Sequence, residues 1–157
     1  MNAVKALLFA VAVSLSVPIF AQTPTSTNLE IVRQKLKADK KLVVAANMDL
    51  SDAEAKAFWP VYDAFQTDLG VINRRLAALI RSYADAYNKG SVSNEVSRKL
   101  IAESLAIEEA ETKLKRSYVP KLEKVLSGTK VARYLQIESQ IRTIVRYDIA
   151  SEIPLIY

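Results

Sequence analysis

Residues 51–90 read SDAEAKAFWPVYDAFQTDLGVINRRLAALIRSYADAYNKG, and this stretch decides the fold. Its apolar residues Phe58, Tyr62, Phe65, Leu69, Ile72, Leu76, Leu79, Tyr83 and Tyr87 advance by steps of 4, 3, 4, 3, 4, 3, 4 and 4. Such steps keep one face of an α-helix apolar, and sustained over this length they form a heptad seam rather than ordinary amphipathicity. Ser51, followed by Glu54 three residues on, makes a capping box in which each side chain satisfies a free backbone N–H. Gly90 supplies a left-handed stop just past Asn88. About 37 residues at ~1.5 Å each give a rod of roughly 55 Å.

Working outward from this rod, the chain continues as helix on both sides. Ser91 and Ser93 offer caps for a third helix whose stripe is Val96, Leu100, Ile107, Ala110, Leu114, Tyr118, Leu122 and Val125, with Leu105 just off it. Ser127-Gly128 breaks the chain, and Ser127 can cap a fourth helix carrying Val131, Leu135, Ile141, Val145 and Ile149 until Pro154 ends it. The tail from Ile153 to Tyr157 is almost wholly apolar. Upstream, a first helix is expected from Asn28 to about Asn47, with Leu29, Val32, Leu36, Val43 and Ala46 as its stripe. With only 3 Gly in 157 residues, a sandwich or barrel with frequent turns is excluded. The expectation is an all-α domain over residues 28–157, dominated by a long, curved antiparallel hairpin and elongated rather than globular.

Charge supports that orientation. A short turn at Gly90 sets residue i level with about 181 − i on the next helix. Asp63 and Asp68 then face Lys113, Lys115 and Lys121, while Arg74 and Arg75 face Glu108 and Glu109. Each rod is acidic in its first half and basic in its second, so only antiparallel pairing brings unlike signs together. Pro60 lies level with Pro120, and each removes a helical hydrogen bond, so both rods are expected to bend at one height. Phe58 and Trp59 lie at this bend.

The N-terminus reads as an address. Met1–Lys5 is short and carries one positive charge, Ala6–Leu15 is apolar but for Ser14, Pro18 interrupts, and Ala21 precedes Gln22. This is the layout of a secretory signal peptide over residues 1–21, too short and too broken to span a bilayer. Residues 22–27 are polar, contain Pro24, and read as a flexible leader. Cleavage after Ala21 removes one charged residue, Lys5, and lowers the net charge from +5 to +4. That balance permits weak contact with an anionic surface or an acidic polypeptide; stable membrane insertion and nucleic-acid binding are not expected.

Composition narrows the chemistry. The chain has no Cys and no His, which removes disulfides, thiol nucleophiles, the usual zinc and haem ligands and a Ser-His-Asp triad. It lacks a glycine-rich phosphate loop, and no spacing sets an activated nucleophile beside a base. No enzyme activity, cofactor or metal is expected.

Two segments carry a family resemblance. Leu50-Ser51-Asp52-Ala53-Glu54 resembles the L-T-x-x-Q motif that opens a long helix in the Spy/CpxP family of periplasmic proteins, and Leu126-Ser127-Gly128-Thr129-Lys130 stands where the second copy would. Ser for Thr, and Glu for Gln at Glu54, keep the capping chemistry; Lys130 cannot accept a backbone proton, so the second box is half intact. The helix order and the position behind a signal peptide are also similar, over roughly Asn28 to Ala150. The resemblance implies a cradle-shaped periplasmic homodimer that binds non-native or stress-exposed envelope proteins without ATP. Some relatives instead regulate envelope stress sensors, which implies the alternative of an interaction module of the stress response with one dedicated partner.

Candidate contact residues follow from what the seam leaves over. Phe58, Tyr62, Phe65 and Tyr83 are explained as core. Trp59 and Val61 fall outside the seam, as do Val71, Ile101 and the apolar tail. Trp59, Val61, Ile153, Leu155, Ile156 and Tyr157 are therefore candidates for a client or dimer contact. Glu108, Glu109 and Glu111 read as a solvated face opposite Arg74 and Arg75. Arg133, Arg142 and Arg146 have no assigned partner and stand as candidates for an acidic client or anionic lipid.

Overall fold

The chain divides into two units, Met1–Lys37 and Ala38–Tyr157. The structure, a computed structural model, describes residues 39–156, all in the second unit. The expected signal peptide and leader, the start of the expected first helix and Tyr157 lie outside the described residues. Within them are four helices and no strand: α1 over 39–48, α2 Asp52–Asn88, α3 Asn94–Glu123 and α4 Gly128–Glu152.

Each helix starts where its capping chemistry dictates. The Ser51 amide donates to Glu54 Oε2 at 2.9 Å and the Glu54 amide to Ser51 Oγ at 3.3 Å, so the capping box is complete. Ser93, rather than Ser91, caps α3 by accepting from the Val96 amide, and Ser127 caps α4 by accepting from that of Lys130. Asp49 joins α1 to α2 in the left-handed region, at φ 47°. Gly90 turns the chain between α2 and α3 at φ 94°, where a side chain would be strained. α2 and α3 each run unbroken through their proline. α3 stops at Glu123, so Val125 belongs to the following turn and not to the helix.

α2 and α3 pack as the expected antiparallel hairpin. The rings of Phe65 and Tyr118 meet edge-on at 5.2 Å, Tyr118 donates to Asp68 Oδ2 at 2.6 Å, and Arg75 bonds Glu103 at 2.9 Å. These contacts fall within a few residues of the level rule. The individual ion pairs differ from expectation. Asp63 takes Lys41 of α1, Asp68 takes the Tyr118 hydroxyl, Lys115 turns to Glu111 on its own helix, and Lys121 lies over the Tyr118 ring at 3.9 Å. Among the described residues no expected pair between Asp63, Asp68, Arg74 or Arg75 and its assigned partners forms. The charge pattern thus fixes direction while long, exposed side chains choose partners locally.

α4 rests on α3 and reaches α2 through large side chains, chiefly Tyr134, whose ring stands edge-on to Phe58 at 5.1 Å. The core gathers at the end where the α1–α2 and α3–α4 turns lie: Val44, Met48, Phe58, Tyr62, Phe65, Leu69, Tyr118, Leu122, Leu126, Val131, Tyr134 and Ile137. Full burial of Phe58 alone contributes roughly 1.5–3 kcal/mol. Toward Gly90 the seam loses cover: Ile72 is still buried, but Leu76, Leu79 and Tyr83 are half-buried and Tyr87 is exposed. α4 follows its expected stripe in part: Val131 is buried, Leu135 and Ile141 pack half-buried on the core and Ile149 is half-buried, but the buried face also takes in Tyr134, Ile137 and Glu138. Val145 is exposed. The hydroxyl and carboxylate disguised this wider face, because Tyr134 and Glu138 count as polar until their partners are known.

Candidate functional site

The two motif segments meet in space. Lys130 Nζ donates to Glu54 Oε2 at 2.6 Å and to the Asp49 carbonyl at 2.8 Å. The side chain that cannot close its own capping box therefore closes a link to the other one. Glu54 accepts from Lys130, from the Ser51 amide and from the Ser51 hydroxyl at 3.0 Å. The Lys130 bond first, then the Ser51 amide, hold its carboxyl down from 4.5 to about 2. A carboxylate whose pKa is lower folded than unfolded contributes stability above about pH 4.5 and loses it as pH falls through about 2. Lys130→Ala is expected to raise the Glu54 pKa toward the ordinary carboxylate range, measured by NMR titration; an unmoved pKa would mean that Ser51 alone sets it.

Beside this clasp lies the aromatic cluster. Trp59 packs at 5.0 Å from Phe58 and edge-on to Tyr62 at 5.3 Å, with Lys41 Nζ over its ring at 5.0 Å. Trp59 and Val61 are both half-buried against the core. They are outside the seam, as the spacing says, but Lys41, Phe58 and Tyr62 cover part of Trp59, and Val61 packs against the core.

A polar ring links α1, α2 and α4 next to these aromatics. Lys40 Nζ donates to Glu138 Oε2 at 2.6 Å and to Gln66 Oε1 at 2.9 Å, and Gln66 Nε2 donates to Glu138 Oε1 at 2.8 Å. Glu138 is only 3% exposed. Burial, and then the Glu138 charge, push the Tyr62 and Tyr134 hydroxyls well above the usual phenol range, so both stay neutral. Burial and the bond to Asp68 push Tyr118 up to about 12. This ring was missed in the sequence, although Glu138 stands four residues after Tyr134 and seven after Val131, on the buried face of α4.

A second buried carboxylate corrects two expectations. Glu111 is not on a solvated face; it is 4% exposed and gathers Lys115, Arg142 and Arg146 at 3.0, 2.8 and 3.1 Å. Arg142 and Arg146 are thus engaged rather than left over. Arg142 Nε also donates to Glu111 Oε2 and its Nη1 to Asn73 Oδ1 at 2.6 Å, and Arg146 lies 3.9 Å from Glu108. The cause is helical spacing: Arg142 and Arg146 share one face of α4, and that face turns to α3. Burial pushes the Glu111 pKa up, but the Lys115 bond and the Arg142 charge outweigh it and the net shift is down. Arg133 remains exposed and makes no ion pair among the described residues.

The tail folds back toward the hairpin. Tyr83 donates its hydroxyl to the Pro154 carbonyl at 2.7 Å. Beneath lies an open groove of about 430 Å³ lined by Leu76, Ile107, Ile149, Ile153 and Leu155, with Glu108 and Arg146 at its rim. Ile153 is half-buried there, while Leu155 and Ile156 are 75% and 50% exposed. Other outward apolar side chains are Ile101 and Leu105 on α3 and Ile144 and Tyr147 on α4. Among the described residues no group of three or more acidic side chains is placed to hold a metal ion, and no helix is long and apolar enough to cross a membrane. Comparison with protein-family models, curated proteins and solved structures finds no match to this chain.

Proposed function

We propose that the protein is a periplasmic, ATP-independent chaperone-like binder of non-native or stress-exposed envelope proteins, acting as a homodimer. The observation that carries this reading is the distribution of apolar surface. Beyond the dense aromatic core, the unit offers the groove under the tail and outward apolar side chains on every helix, among them Leu42 and Val43 on α1, Ile101 and Leu105 on α3, Ile144 and Tyr147 on α4, and Leu155 and Ile156 in the tail. The groove, lined by Leu76, Ile107, Ile149, Ile153 and Leu155, is apolar surface of the kind that marks an interaction site. Non-native chains expose apolar segments that such a surface accommodates without fine shape-matching. The meeting of Glu54 with Lys130 gives the two motif segments a joint structural role.

The test is suppression of aggregation. Mature protein at near-stoichiometric amounts is expected to reduce light scattering from several unrelated denatured proteins without ATP. Leu155→Ser with Ile156→Ser is expected to weaken that effect while leaving the thermal transition unchanged. Saturable binding to a single envelope protein, with no effect on unrelated aggregating chains, would replace this reading by a dedicated regulatory module.

A further inference from the structure

The tail beyond α4 leaves the helix in a fixed direction. Pro154 has no amide hydrogen, so the helix cannot continue through it, and its ring pushes the preceding residue into extended backbone. Ile153 accordingly stands at φ −96° and ψ 114°, just past the last helical residue, Glu152. This turn-off sends the chain back over the hairpin. There Tyr83 of α2 donates its hydroxyl to the Pro154 carbonyl at 2.7 Å, across 71 residues of sequence.

What the tail covers is apolar. Ile153, Pro154 and Leu155 form one wall of the groove, and Leu76 of α2, Ile107 of α3 and Ile149 of α4 form the rest. The seating is shallow. Ile153 is half-buried, Leu155 and Ile156 stay largely exposed, and about 430 Å³ remains open beneath them. α1 differs in this respect: its Val44 and Met48 are wholly buried, so α1 belongs to the core and the tail does not.

We propose that the tail is a latch on the groove: the Tyr83–Pro154 bond holds Ile153–Ile156 over it, and an extended apolar segment of a non-native chain displaces the tail. The tail has the chemistry of such a segment. Ile153-Pro154-Leu155-Ile156 is extended, uncharged and apolar, and it offers Tyr83 a backbone carbonyl. Displacement uncovers two surfaces at once, the groove and the side chains of the tail itself. Opening and binding are therefore linked, and whatever favours the open tail raises the apparent affinity for a client. Serine at Leu155 and Ile156 still weakens binding, because those side chains belong to the uncovered surface. The inference rests on the binding of non-native chains proposed above and supplies its regulation.

Tyr83→Phe keeps the ring and removes the bond. Tyr87→Phe, one turn along α2, is the control. The chain has no cysteine, so Ile153→Cys places a single thiol under the latch, and its rate of reaction with a soluble disulfide reagent reports how often the tail is open. Adding Y83F is expected to raise that rate about two- to tenfold, the worth of one hydrogen bond, and adding Y87F to leave it unchanged. With isoleucine kept at 153, Y83F is expected to suppress aggregation at a correspondingly lower ratio to client, its helical circular dichroism unchanged. A thiol rate unmoved by Y83F would overturn the latch and leave the chaperone reading standing. A faster thiol without stronger suppression would also overturn it, since the tail would then open without governing client binding. No suppression by either the natural protein or Y83F would overturn both.

Discussion

Truncating Phe58 to alanine should lower the unfolding free energy by about 3–5 kcal/mol, the range for deleting a fully buried aromatic. Its ring is completely enclosed, touching Trp59, Tyr62 and Tyr134 at centroid distances of 5.0, 6.0 and 5.1 Å. Two of those neighbours are themselves held by their surroundings, Tyr134 beside the Gln66–Glu138 pair and Tyr62 beneath Lys41, so they cannot collapse into the space. The cavity therefore persists, and its cost adds to the lost transfer free energy. Chemical denaturation of the protein measures the change. A loss below about 1 kcal/mol would mean that α2 does not pack on α4 at this level. Phe58→Leu, which refills most of the volume, should cost markedly less.

Glu111→Leu should be comparably severe, at about 3–5 kcal/mol, because it strands a buried charge. The Arg142 side chain is only 12% exposed, and Glu111 is its one carboxylate partner among the described residues. Replacing Glu111 and Arg142 together by leucine should recover most of the loss, since a well-packed apolar pair can stand in for a buried ion pair. The same site sets a pH dependence. The Glu111 pKa is lowered in the folded protein, so its contribution is complete above the ordinary carboxylate value near 4.5 and disappears as pH falls through the lower folded value. Denaturation midpoints measured between about pH 6 and pH 3 should drop for the natural protein and stay flatter for the double-leucine variant. A wild-type curve as flat as the variant's would show that Glu111 carries no linked proton.

The contrast between these two sites explains what was legible in the sequence. Phe58 belongs to a run of residues that are all apolar, so spacing alone placed it in the core. The capping serines were equally plain, because a cap is a local device whose partner lies three residues away. Glu111 and Glu138 were not legible, because a carboxylate is read as solvated until the cations that bury it are known, and Arg142 and Lys40 lie 31 and 98 residues away. Arg142 and Arg146 were misread for the same reason, each being judged alone. Direction was easier to read than partnership: the split of acidic and basic halves survives any local choice of partner, whereas Asp63 could take Lys41 from a helix that the hairpin argument did not include. The outward position of Ile101 and Leu105 was legible too, since both fall off the seam, and they are 58% and 54% exposed.

The Lys40–Gln66–Glu138 ring has a consequence for how the chain comes to be folded. The α2–α3 hairpin closes across a turn of a few residues, and such local closure is fast. The ring instead spans 98 residues between Lys40 and Glu138, so it cannot shut until nearly all of the chain is present. A chain emerging from its N-terminus thus exposes Phe58 and Tyr62 until α4 begins, whereas Phe65 gains Tyr118 once α3 docks. Tyr134 and Glu138 arrive together, within one turn of helix, and supply the edge-on ring and the carboxylate that the waiting aromatics and Lys40 lack. The molecule therefore passes through an interval in which it resembles an unfolded chain with bare aromatic surface, and α4 is the segment that ends it.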